Sequence, residues 1–170
     1  MTHPKDVLID WLRDAHAMES QAVEMLERQV GRIQNYPDLL TKAKEHIEVS
    51  KLQANRLKQC LNQLGSDTSS IKTGIGMLIG NTQSLSGVFA SDEIVKASVF
   101  NYAFEHFEIA NYRALIAAAI AAGEPDIART LQQSLDEEVE MAGWLEQRLP
   151  QVTTTFLSRQ EMGATTEAKR

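Results

Sequence analysis

Four long stretches of the chain repeat apolar residues at spacings of three and four, and Gly and Pro cluster between them. A stretch that buries one stripe at helical period must lay it against another such stripe. Four of them, two joined by short turns on each side of one long link, predict an all-α four-helix bundle. A single long crossover is the ferritin-like variant of that bundle. No strand pattern competes, because alternation of period two is hard to find anywhere in the chain.

The spacing predicts helices over about 4–33, 38–64, 92–122 and 125–149. The first opens at Pro4 with Thr2 or His3 as cap, and Gly31 and "NYPD" end it. Its stripe reads Leu8, Leu12, Ala15, Glu19, Ala22, Leu26. The second is capped by Asp38 after Pro37 and stops at Gly65. Its stripe reads Leu39, Ala43, His46, Ser50, Gln53, Leu57, Cys60, Leu64. The third is capped by Ser91 or Asp92 and breaks at Gly123. Its stripe reads Ile94, Ala97, Asn101, Phe104 with Glu105, Glu108, Tyr112, Leu115, Ala119. The fourth starts at Pro125, reads Ala128, Leu131, Leu135, Glu138, Ala142, Leu145, Leu149, and meets Pro150 as its stop.

Residues 66–91 form the crossover between the second and third helices, with a short helix expected around 71–86. The segment "GIGMLIG" within it is a candidate apolar contact surface. Residues 151–170 are expected to hold one short helix and a frayed tail. The whole chain of 170 residues then makes a single domain.

Each helix carries an ionisable residue near the middle of its apolar stripe: Glu19, His46, Glu108 with Glu105 a turn away, and Glu138. Carboxylates are almost never fully buried without a partner. A lone mid-stripe Glu ordinarily sits at the stripe's edge and reaches water, and a lone His is ordinarily a hydrogen-bonded core residue. Four, one per helix, call for a test of height. Antiparallel neighbours come level when equally distant from their turn. Residues 19 and 46 have their midpoint between 32 and 33, near the first turn, and 108 and 138 have theirs at Gly123. At ~1.5 Å of rise per residue all these pairs are level to within about a turn.

None of the 17 Lys and Arg residues lies on the four stripes. Unpaired ionised carboxylates in a core would cost several kcal/mol each. Either the carboxyls stay protonated in a shared polar layer, or a cation neutralises them. Carboxylates with an imidazole suit iron, manganese or zinc, and mostly carboxylates with at least one His fit a di-iron or di-manganese centre in a bundle core. In "DEEVE" (136–140) only Glu138 lies on the stripe, with Glu137 beside it. Tyr112, one turn from Glu108, can hydrogen-bond a ligand.

The formal net charge of -6 disfavours generic binding to nucleic acid or anionic membranes. The longest apolar run, "ALIAAAIAA", is too short to span a bilayer. "MTHPKDVLIDWLRD" turns acidic within a few residues, so no signal peptide is expected and the cytoplasm is the expected compartment. The single cysteine, Cys60, excludes an intramolecular disulfide and reads as core.

"DWLRDAHAMESQAVEMLE" (10–27), "HIEVSKLQANRL" (46–57), "FEHFEIANYRAL" (104–115) and "LDEEVEMAGWL" (135–145) resemble the YciE/YciF family of bacterial stress-associated ferritin-like proteins, more closely its YciE branch. The resemblance covers nearly the whole chain, "SDEIVKAS" (91–98) included. It implies a rubrerythrin-like bundle, commonly a dimer, with a di-metal site and a role in stress responses. It carries ligand positions to Glu19, His46, Glu105, Glu108 and Glu137 or Glu138. Two departures stand out. Active ferritin-like oxidases have Glu-x-x-His on two helices, whereas here Val49 follows His46 by three and Met141 follows Glu138 by three. Glu48 points about 100° away around its helix.

Two readings follow. In the first, one or two metal ions, iron foremost, bind between the helices, with Glu19 and Glu138 as terminal ligands, Glu105 and Glu108 terminal or bridging, and His46 as nitrogen donor. The oxidant would be oxygen or peroxide. In the second, the protein is a non-catalytic dimeric structural or interaction protein with a degenerate metal site, as Val49 and Met141 suggest. An iron-storage shell is disfavoured, since no cage contacts are announced.

Overall fold

A computed structural model describes residues 3–69 and 92–163. Among them the regular structure is entirely helical: α1 Pro4–Val30, α2 Pro37–Gln63, α3 Glu93–Ala121 and α4 Pro125–Glu161. The expected short helix around 71–86 and the "GIGMLIG" segment lie outside the described residues.

The helices start where local chemistry lets them. His3 caps α1, its Nδ1 accepting from the Lys5 amide, and Pro occupies the first turn of α1, α2 and α4. Asp38 is a first-turn residue of α2 rather than its cap, which is Tyr36. Gly65 and Gly123 adopt φ of 74° and 77°, the left-handed conformation that ends a helix at little cost only for glycine.

The helices form a square. α1 packs on α2 and on α3, and α4 packs on α3 and on α2. Cross-links fix the directions. Gln29 bonds Asn101, Tyr112 bonds Glu19 and Lys5 pairs with Glu124, so α1 and α3 run antiparallel. Arg148 with Asp38, Lys42 with Glu140 and Arg56 with Ser134 make α2 and α4 antiparallel too. Arg13 holds Ser66 near the start of α1, while Arg32 at its far end holds Glu93. The link from α2 to α3 therefore joins opposite ends of the bundle, which defines the long crossover of a ferritin-like fold.

The apolar stripes close into a core of Leu8, Leu12, Ala15, Leu57, Leu61, Leu115 and Leu131 at one end. A second cluster, Tyr36, Leu39, Ile94, Met141, Leu145 and Val152, fills the other. Cys60 lies in the first cluster, 1% exposed, and burial pushes its thiol up to about 11, so it behaves as a core residue.

One boundary differs from expectation. Pro150 does not stop the fourth helix, which continues to Glu161 with Pro150 inside it. An internal proline removes a helical hydrogen bond and costs ~3 kcal/mol. Beyond it, Val152 and Phe156 pack against Tyr36, Leu39 and Ile94, and that burial offsets the cost.

Candidate metal centre

Between the two apolar clusters the stripes turn polar. Glu19, His46, Glu105, Glu108 and Glu138 are 0%, 4%, 2%, 1% and 0% exposed, too little for any of them to reach water. Their helical phase forces this: each replaces an apolar residue in a series of threes and fours, so each side chain points at the bundle axis.

Four of these five converge. His46, Glu105, Glu108 and Glu138 each offer one donor atom, and the four atoms lie within 4.8 Å of one another. His46 Nε2 stands 3.3 Å from Glu105 Oε2 and 3.7 Å from Glu138 Oε2. His46 and Glu105 come from α2 and α3, which are diagonal across the bundle, so they meet at its centre.

Glu19 borders this group. Tyr112 donates its hydroxyl to Glu19 Oε1 at 2.6 Å, entirely within the core. Glu19 and His46 are not level, contrary to the turn-midpoint rule. Lys51 reaches Glu27 and Arg13 reaches Ser66, pairs centred several residues past the α1–α2 turn. The link 31–36 is long enough to let the helices slide, whereas the tight turn at Gly123 holds α3 and α4 in step.

Glu137 is not in the cluster. Arg56 binds it through both terminal guanidinium nitrogens, Nη1 to Oε2 at 2.6 Å and Nη2 to Oε1 at 2.9 Å, at the edge of the α2/α4 interface. Stripe phase counts where side chains start. It misses that Arg56, off the stripe, is long enough to curl back and take a neighbouring carboxylate.

Burial dominates the electrostatics. It pushes the Glu105 carboxyl up to about 7 and that of Glu138 up to about 9, and raises Glu19 and Glu108 far above the carboxylate range. The neighbouring carboxylates add to this for Glu19 and Glu108. His46 moves the other way, since burial disfavours its cation more than nearby Glu138 favours it. Without a metal, burial thus favours the protonated form of these carboxyls and the neutral form of the imidazole.

Glu19 Oε2, Glu105 Oε2, Glu108 Oε1 and both oxygens of Glu138 are buried without a hydrogen-bond partner. Orphaned polar atoms at this density are costly in a core. The donors are oxygens and one imidazole nitrogen, they gather within 4.8 Å of one another, and most of the oxygens have no hydrogen-bond partner. That donor set fits a divalent transition metal such as iron or manganese, or zinc.

The positions that would complete Glu-x-x-His motifs are apolar in place as well as in sequence. Val49 is half-buried, and Met141 belongs to the second apolar cluster. Three polar residues beside the site were not singled out by sequence reasoning. Gln53 and Ser50 are fully buried on α2, and Gln53 Nε2 donates to Glu137 Oε2 at 3.1 Å. Ser134, 1% exposed, accepts from Arg56. Polar residues at stripe positions next to His46 and Glu138 were the available signal.

Fold and site together define a ferritin-like four-helix bundle with a buried carboxylate–histidine cluster at its axis. The chain belongs to the family described as "Domain of unknown function (DUF892)", whose pattern matches residues 3–158. It is similar to protein XCC3681 from Xanthomonas campestris pv. campestris, known from a crystal structure, with 36% identity and a TM-score of 0.82 over 94% of this chain and 99% of that one. It is also similar to YcfI from Rhodopseudomonas palustris, provisionally described as a structural protein. There the identity is 30% and the TM-score 0.76, over 86% of this chain and 94% of that one.

Proposed function

We infer that the protein is a ferritin-like, stress-associated metal-binding protein of the YciE/YciF type, holding one or two iron ions per chain and reacting with oxygen or peroxide. The observation that carries this reading is the convergence of His46, Glu105, Glu108 and Glu138 on one point, with their carboxylate oxygens orphaned. His46 would supply the nitrogen donor and the three carboxylates the charge. Glu19 would stand by at the border, one oxygen held by Tyr112 and the other free. The apolar clusters on either side keep bulk water from the axis. Bound iron would supply a ferrous–ferric couple for reducing an oxidant.

The cytoplasm and a homodimer are part of the same reading. No described helix is long and apolar enough to cross a membrane.

Elemental analysis after anaerobic loading with ferrous iron tests the reading, on wild type and on Glu108→Ala. One to two irons per chain, lost in the variant, is the expected result. Iron-free protein after loading would overturn it.

A second reading is favoured by Val49, by the packing of Met141 and by the description of YcfI: a structural protein in which protonated carboxyls set helix register. It requires a metal-free protein whose stability does not change when metal is offered.

A further inference from the structure

The cluster lies at the bundle axis, and among the described residues the four helix seams are packed to different extents. α1/α2 and α3/α4 are the two extensively packed pairs. The α1/α3 seam is sealed by Tyr112 on Glu19 and by Gln29 paired with Asn101. The α2/α4 contact is the thinnest of the four.

That seam is polar from rim to centre. At its mouth the Arg56 and Glu137 side chains are 17% and 28% exposed. Behind them Gln53 donates to Glu137 Oε2 at 3.1 Å and lies close enough to Glu138 to favour its ionised form. Glu138 belongs to the cluster. Gln53 Oε1 and Ser50 Oγ are buried with no hydrogen-bond partner. The polar pairs of the α1/α3 seam satisfy one another, whereas helix packing alone does not call for buried oxygens left unpartnered. Unpartnered oxygens behind a surface carboxylate are instead what a cation shedding its water needs.

We propose that divalent cations reach the cluster through the α2/α4 seam, with Glu137 as the first ligand and Arg56 as the latch over it. The inference rests on the metal-binding reading above. Arg56 occupies both oxygens of Glu137 and places a positive charge at the mouth. Swinging Arg56 outward frees the carboxylate and removes the repulsion. Glu137 can then attract a cation and pass it along Gln53 to Glu138.

Stopped-flow uptake of cobalt(II) by the metal-free protein, followed through visible absorption of the bound ion, tests this. Arg56→Met should speed uptake several-fold, because the ligand is exposed and the repelling charge is gone. Glu137→Gln should slow it about tenfold, because the attracting charge is lost and Arg56 remains. General loosening of the bundle would speed both, so the opposite signs are diagnostic. Rates within twofold of wild type in both variants, or changes of the same sign, would overturn the entry path while leaving the metal site standing. Failure of wild-type protein to bind cobalt, iron or manganese would overturn the metal-binding reading and the path together.

Discussion

Tyr112 on α3 donates its hydroxyl to Glu19 on α1 at 2.6 Å, and both side chains are fully buried. The bond joins two helices that are not sequence neighbours, and it satisfies one oxygen of a carboxyl whose ionisation burial disfavours. Tyr112→Phe removes the donor and leaves Glu19 Oε1 orphaned as well as Oε2. The metal-free variant should lose about 1–3 kcal/mol, read as a lower urea midpoint with unchanged slope. Glu19→Gln keeps an acceptor for Tyr112 and removes the ionisable group, so it should cost less than Tyr112→Phe. The reverse ranking would show that the bond is not what holds this layer.

The same burial makes metal-free stability depend on pH. Burial pushes the Glu105 and Glu138 carboxyls up from 4.5 to about 7 and about 9 in the folded chain. A carboxyl whose folded pKa is raised binds its proton more tightly in the folded chain. Its contribution is complete below about 4.5 and is lost as pH rises through the folded value. His46, lowered from 6.5, acts oppositely and subtracts stability below that pH. Metal-free protein should therefore be most stable near pH 4.5, where several carboxyls outweigh the one imidazole, and weaken from there toward pH 9 by on the order of a few kcal/mol. Glu138→Gln should flatten the alkaline fall. A melting temperature constant from pH 5 to 9 would refute the shared-proton layer.

Much of this was legible beforehand because phase is strict. Glu19, His46, Glu105, Glu108 and Glu138 occupy stripe positions, and all five are buried. What escaped depends on lengths and on tertiary packing. The turn midpoint puts Glu19 level with His46, but the α1–α2 link permits a slide that the turn at Gly123 does not. Glu137 reads as a ligand candidate beside the stripe, yet Arg56 holds it across a helix interface. Pro150 looks like a stop when its local cost is weighed without the layer that Val152 and Phe156 bury beyond it.

Metal and protons compete for the same oxygens, so binding should strengthen with pH where metal-free stability falls. At a hundredfold excess over Kd a bound ion adds ~2.7 kcal/mol. The gap in melting temperature between loaded and chelator-treated protein should widen from pH 5 to pH 8. His46→Ala should shrink the gap at every pH by deleting the nitrogen donor. Calorimetry on the two forms gives the answer, and a gap independent of pH would mean that the metal binds outside this cluster.

The continuation of α4 past Pro150 can be tested by two changes with opposite signs. Pro150→Ala restores a backbone N–H within a helix that runs from Pro125 to Glu161, so it should stabilise the protein by about 1–3 kcal/mol. A chain ending at Leu149 loses Val152, 7% exposed, and Phe156 from the second cluster, and should be destabilised by about 2–4 kcal/mol. Urea unfolding followed by circular dichroism measures both. If the helix ended at Leu149 in solution, the alanine variant would gain nothing and the shortened chain would unfold like the full one. A gain from the first and a loss from the second would place Val152 and Phe156 in the layer that buries Met141, one turn from Glu138 and the cluster.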